Sequence, residues 1–155
     1  MKRLASVMAW AVMACAPSAH AQFVDTPVLT LAGAQGLVDA ALAYAHDHHW
    51  RQSIAVIDAG GNLMCFVRMD DAQLAGVKMA LGKAKTALLF QEPSKGFADR
   101  VAAGRLNVLA LPDMVPADGG LLLVHDGRIV GAIGVSGAAP EQDGQTAANA
   151  AASLR

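Results

Sequence analysis

Ser53-Ile54-Ala55-Val56-Ile57-Asp58-Ala59-Gly60-Gly61-Asn62-Leu63-Met64-Cys65-Phe66-Val67-Arg68-Met69-Asp70 holds the pattern from which the architecture follows. Ser53 to Asp58 is an unbroken β-prone run. Ala59-Gly60-Gly61-Asn62 carries turn chemistry, and Leu63 to Met69 is a second β-prone run, so the segment predicts a hairpin. Alternation along the second strand puts Met64, Phe66 and Arg68 on one face, with Asp70 following in the same sense.

Outward from this hairpin the periodicity changes to that of helices. Upstream, Thr30 is placed to cap a helix running to about His49, with Leu31, Ala34, Val38, Ala41 and Ala45 on its apolar face. Downstream, Gln73 to Gln91 predicts a helix with a buried stripe of Leu74, Val77, Leu81, Ala84 and Leu88. Pro93 ends it, and Ser94 caps a short helix through Ala103. Arg105 to Asp118, broken by Pro112 and Pro116, reads as an irregular crossing. A second hairpin follows, Leu121 to His125 and Ile129 to Ser136, joined by Asp126-Gly127. Pro140 opens a last helix whose first turn holds Glu141 and Asp143, suited to the helix dipole. The order α-β-β-α-α-β-β-α predicts one α+β (α/β layered) domain, with a central antiparallel sheet from two β-hairpins and helices packed on it.

The first twenty-one residues read as something other than fold. Lys2 and Arg3 precede a short apolar core from Leu4 to Ala16, Pro17-Ser18 break it, and Ala19-His20-Ala21 offers a cleavage site. The apolar run is well short of the ~20 residues that span a bilayer. A secretory signal peptide at 1–21, a single domain at 22–155 and a periplasmic or secreted address are therefore expected, with no stable membrane anchor after processing. Loss of Lys2 and Arg3 leaves ten basic residues against thirteen acidic ones, a net charge of −3. No basic stripe is present, which argues against a nucleic-acid partner. Cys65 is the one cysteine left, so packing or self-association, not a disulfide, must supply stability.

The residues able to carry chemistry are few. Arg68 and Asp70 are close enough to pair as a structural salt bridge; alternatively the guanidinium holds a ligand carboxylate. On the second helix, Lys85 lies about 60° from the centre of the expected stripe and Lys83 nearly opposite it. Lys85 is thus the expected half-buried lysine, and Lys83 the one facing solvent or a subunit. His46 and His49, three apart near a helix end, have a spacing that can hold a metal, although the helix dipole also favours histidine there. His125 alternates with Leu121 and Leu123 and is a candidate ligand for haem iron. The stretch from Gly134 through Ser136 to Ala138 leads into the last helix, whose N–H groups can receive an anion. No C-x-x-C-H, G-x-S-x-G, H-E-x-x-H or P-loop is present.

Read together, these segments resemble the GlcG/HbpS family of haem-binding or haem-degrading-like proteins. The resemblance rests on Ser53 to Leu63, Arg68-Met69-Asp70, Lys83-Ala84-Lys85-Thr86-Ala87, Gly119-Gly120, Asp126-Gly127 and Gly131 to Gly137, in that order over almost the whole mature chain. It implies a central antiparallel sheet, homo-oligomers and, for some members, export and haem binding. The chain departs from the pattern at Gly144, where members often carry an acidic residue. A second departure is Leu121-Leu122-Leu123, where a proline is common.

The leading expectation is an exported homo-oligomer that binds haem or a similar anionic small molecule, with Arg68, Asp70, Lys85, His125 and Ser136 as ligand-binding residues. Two alternatives stand beside it. One is an enzyme moving a proton on a small organic acid through Lys85 or Asp70, which requires a pKa brought near working pH by burial. The other is an accessory subunit of a periplasmic oxidation system.

Overall fold

A computed structural model describes residues 24–154; the expected signal peptide lies outside the described residues. The elements are α1 (Leu31–Asp47), β1 (Ser53–Asp58), β2 (Leu63–Arg68), α2 (Leu74–Phe90), α3 (Lys95–Ala102), a 3₁₀ turn (Leu106–Ala110), β3 (Gly120–His125), β4 (Arg128–Ser136) and α4 (Pro140–Ala152). The predicted order is reproduced. The 3₁₀ turn occupies part of the expected irregular crossing.

The two hairpins join through β1 and β4 into one antiparallel sheet ordered β2-β1-β4-β3. The β3–β4 turn has Asp126 and Gly127 at φ 48° and 73°. Both values lie in the left-handed region that a two-residue hairpin requires and that Asp and Gly tolerate.

Helices cover both faces of this sheet. Alternation along β1 sends Ile54 and Val56 to one face, where Leu37, Val38 and Ala41 of α1 and Ala147 and Ala150 of α4 close the main core with Ile133 and Val135. Ile57, with Ala132 of β4, faces the other way and meets Ala84, Ala87, Leu81 and Leu88 of α2. Met64 and half-buried Cys65 pack against the main core. Met64 therefore does not share a face with Phe66 and Arg68. An irregularity in the β1–β2 register between Val56 and Ile57 shifts the alternation there.

α2 differs most from its predicted orientation. Leu74 is 77% exposed, while the buried positions are Gly76, Ala80, Lys83, Ala84, Thr86 and Ala87. The helix buries its small residues, because it lies on a part of the sheet made of glycine. A Cβ on Gly134 would fall 1.9 Å from the Ala80 carbonyl oxygen, and one on Gly120 would fall 2.2 Å from that of Lys83. With two glycines below and small side chains above, backbone packs almost on backbone.

Gly134→Ala is expected to cost about 3 kcal/mol or more, because neither neighbouring backbone can yield. Gly36→Ala, on the exposed side of α1 with nothing within 4 Å of the added carbon, should instead gain about 0.5–1 kcal/mol. Urea midpoints of the two variants against the parent check both signs.

Candidate functional site

The rotation of α2 exchanges the two lysines. Lys83, expected at the surface, is 2% exposed. Lys85, expected half-buried, is exposed. Moving the buried stripe from the large residues to Gly76, Ala80 and Ala84 turns Lys83 inward.

Once buried, an ammonium group needs acceptors. Lys83 Nζ donates to Asp143 Oδ2 at 2.8 Å and to the Val135 carbonyl at 3.0 Å. Asp143 Oδ1 accepts from Gln52 Nε2 at 2.9 Å and from the Ala138 amide at 3.0 Å. Gln52 Oε1 in turn accepts from the Thr146 hydroxyl at 3.0 Å. One enclosed chain of hydrogen bonds thus ties α2, the entry to β1, the end of β4 and the first turns of α4. The Ala138 and Ala139 amides are taken by Asp143 and by Gln142 Oε1. Ser136 is buried, with its carbonyl against Gly76 of α2.

Asp118 stands beside this network. Its Oδ1 accepts from the Gly119 amide at 2.7 Å. A Cβ on Gly144 would lie 2.5 Å from Oδ2. The space above residue 144 is thus filled by a carboxyl group from the β3 approach, which accounts for glycine at that position. Burial pushes the Asp118 carboxyl above its ordinary range, outweighing the Gly119 hydrogen bond and the attraction of Lys95 and Lys83.

At the opposite edge of the sheet, Arg68 and Asp70 do not pair. Arg68 Nε and Nη2 both donate to the Ala72 carbonyl, at 3.0 and 2.7 Å. That fixes the guanidinium and leaves Nη1 without a hydrogen-bond partner among the described residues. Arg68 and Asp70 instead line a cleft of about 250 Å³ together with His46, Arg51, Leu42, Val67 and Met69.

The histidines are dispersed. α1 ends at Asp47, His48 is its C-cap, and His49 adopts φ 58°. His46 and His49 therefore do not share a helical face. His48 Nδ1 lies 2.8 Å from the Tyr44 carbonyl, and its ring, Tyr44 and Trp50 form a three-ring cluster, with His48 4.2 Å from Tyr44 and 4.7 Å from Trp50. Among the described residues no group of three or more His, Cys, Asp or Glu side chains converges on a metal position. His125 lies elsewhere, its Nε2 3.5 Å from Asp126. It lines an open depression of about 320 Å³ with Pro27, Val28, Leu29, Thr30, Gly33, Val130 and Leu154. Lys85 lines a third, larger cavity at the tip of the first hairpin.

The sequence model of the family described as "Haem degrading protein HbpS-like" matches residues 29–152, and the chain belongs to that family. Protein GlcG of Escherichia coli strain K12 is 38% identical over 109 residues, covering 70% of this chain and 81% of GlcG. HbpS of Streptomyces reticuli, solved as a double mutant, has a TM-score of 0.78 at 31% identity, covering 92% of this chain and 99% of that one. The crystal structure of a PduOC:heme complex has a TM-score of 0.74 at 29% identity, covering 81% and 94%.

Two outcomes follow from the buried charges. Lys83→Met strands a carboxylate and should cost about 3–5 kcal/mol; adding Asp143→Asn, which keeps an acceptor for Gln52 and Ala138, should recover part of that loss. Asp118 has a raised carboxyl pKa in the folded state, so its contribution favours folding at low pH and is lost as pH rises through that value. Asp118→Asn should therefore be more stable than the parent at pH 7, with the difference closing on acidification. Denaturant titrations of each variant across pH check both.

Proposed function

We propose that this chain is an exported homo-oligomer that binds haem, or a similarly flat anionic molecule, in the cleft beside Arg68. The reading takes its ligand class from the family, whose description names haem, and from a relative of the same fold crystallised with heme. Its location rests on one observation: His46, Arg51 and Arg68 line a single cleft whose remaining walls are Leu42, Val67, Met69 and Asp70.

The residues fit the group. An imidazole is a common iron ligand, and guanidinium groups pair with carboxylates such as the propionates. Arg68 is held by the Ala72 carbonyl, so little side-chain freedom is lost on binding. Leu42, Val67 and Met69 offer apolar surface to the macrocycle. Bound haem would supply iron-centred redox chemistry; His46 would offer an imidazole to the iron, and Arg51 and Arg68 would pair with the propionates. The depression at His125 has an imidazole but neither Lys nor Arg among its lining residues. The rival reading through a half-buried Lys85 loses its premise, because the buried lysine is Lys83 and it is already paired.

The cleft, at about 250 Å³, is smaller than the ~300–1,000 Å³ usual for an enclosing ligand site. One face of the macrocycle would therefore remain open, which a neighbouring subunit would cover.

Titration with hemin should give a saturable Soret shift. His46→Ala should abolish the ligated spectrum, Arg68→Ala should weaken binding about five- to tenfold, and His125→Ala should leave both unchanged. A loss seen with His125→Ala instead would move the site to that depression, and no saturable shift in the parent would remove haem as the ligand. Native mass spectrometry of protein from its own host would report the subunit count, and an N-terminus at Gln22 would establish processing.

A further inference from the structure

At the far end of the sheet from the His46 cleft, the tip of the first hairpin and the C-terminal turns of α2 border an open cavity of about 580 Å³. It is lined by Gly60, Gly61, Lys85, Leu88, Leu89, Gln91, Asp113 and Ile129, with Ala59 completing its rim. We propose that this cavity is a second ligand site, distinct from the cleft beside Arg68, and that it takes a small amphipathic carboxylate.

Size is the first support: the volume falls within the ~300–1,000 Å³ typical of small-molecule sites. The second is a free cation. Among the described residues Lys85 makes neither a side-chain hydrogen bond nor an ion pair, since the lysine pairs that form involve Lys83 and Lys95. Next to it, Leu88, Leu89 and Ile129 present apolar surface. A cation at one side of an apolar wall is complementary to a ligand with a carboxylate head and a hydrocarbon body.

The wall opposite α2 is rigid and bare. Asp58 Oδ1 accepts from the Gly60 amide at 2.9 Å and the Asn62 amide at 2.8 Å, fixing the hairpin tip. These bonds hold the Asp58 carboxyl below its usual range, so the tip stays locked at neutral pH. Gly61, at φ 82°, has no side chain to fill the mouth; a Cβ there would already approach Leu88 Cδ2 at 3.7 Å. Asp113 supplies the opposing charge on the rim. It disfavours a second anionic group, so the ligand carries a single carboxylate.

The cavity and the cleft are independent in place. β1 carries Ser53 beside Arg68 at one end and Asp58 beside the hairpin tip at the other. The five steps between them span about 17 Å at ~3.3 Å per residue. The two sites share no lining residue.

Octanoate is the probe, followed by amide chemical shifts of the isotopically labelled full mature chain. Saturable shifts should centre on Gly60, Gly61, Leu88 and Ile129. Lys85→Ala, an exposed change that leaves the core intact, should raise the Kd about threefold, the yield of a solvent-facing ion pair. Asp113→Asn should lower it, because Asn keeps the left-handed backbone and removes the repelling charge. Hemin affinity should stay at the parent value in Lys85→Ala, which separates this proposal from the haem reading. Non-saturating or scattered shifts would overturn it, as would equal affinity for the neutral octanamide or an unchanged Kd in Lys85→Ala.

Discussion

Helix α2 rests on the sheet at Gly120 and Gly134, where no Cβ holds it away, and most of the molecule's particular features descend from that contact. To come so close, the helix must present Gly76, Ala80 and Ala84 rather than its leucines. That choice rotates Lys83 beneath the helix. A buried ammonium is costly unless fully partnered, so Asp143 and the Val135 carbonyl must be positioned to meet it. Asp143 then draws in Gln52, and Gln52 draws in Thr146. The polar chain is the consequence of a steric fit.

The same contact separates regions of different mechanical character. Between the two ends of β1 the sheet is covered on one face by α1 and α4 and on the other by the small residues of α2. At one end Arg68, tied to the Ala72 carbonyl, shares a cleft with His46 and Arg51. At the other, the glycine-rich tip of the first hairpin stands off from the end of α2 and leaves a cavity beside Lys85. Both ends pair fixed backbone with a cation that is not consumed by an internal carboxylate. That arrangement suits anionic ligands in a chain whose overall charge is slightly negative.

Asp118 and Gly144 fit together across two elements. Glycine at 144 removes a side chain from α4, and the Asp118 carboxyl from the approach to β3 occupies the vacated volume. Burial of that carboxyl is reflected in its raised pKa.

Element order, the two hairpins and the sheet they build were readable from the chain, because β-prone runs flanking Gly-Gly-Asn and Asp-Gly turns are local signals. The position of α1 was equally local: its apolar spacing and the Thr30 cap, which accepts from the Gly33 amide at 3.1 Å, act within a few residues. The facing of α2 was not readable. Periodicity ranks residues by hydrophobicity, whereas this interface selects by volume, and the glycines that impose the selection, Gly120 and Gly134, lie in distant strands of the sheet. The exchange of Lys83 and Lys85, the separation of Arg68 from Asp70 and the meeting of Arg68 with His46 all required the chain to be folded. Each depends on which surface a distant segment leaves free, and only three-dimensional packing makes that choice.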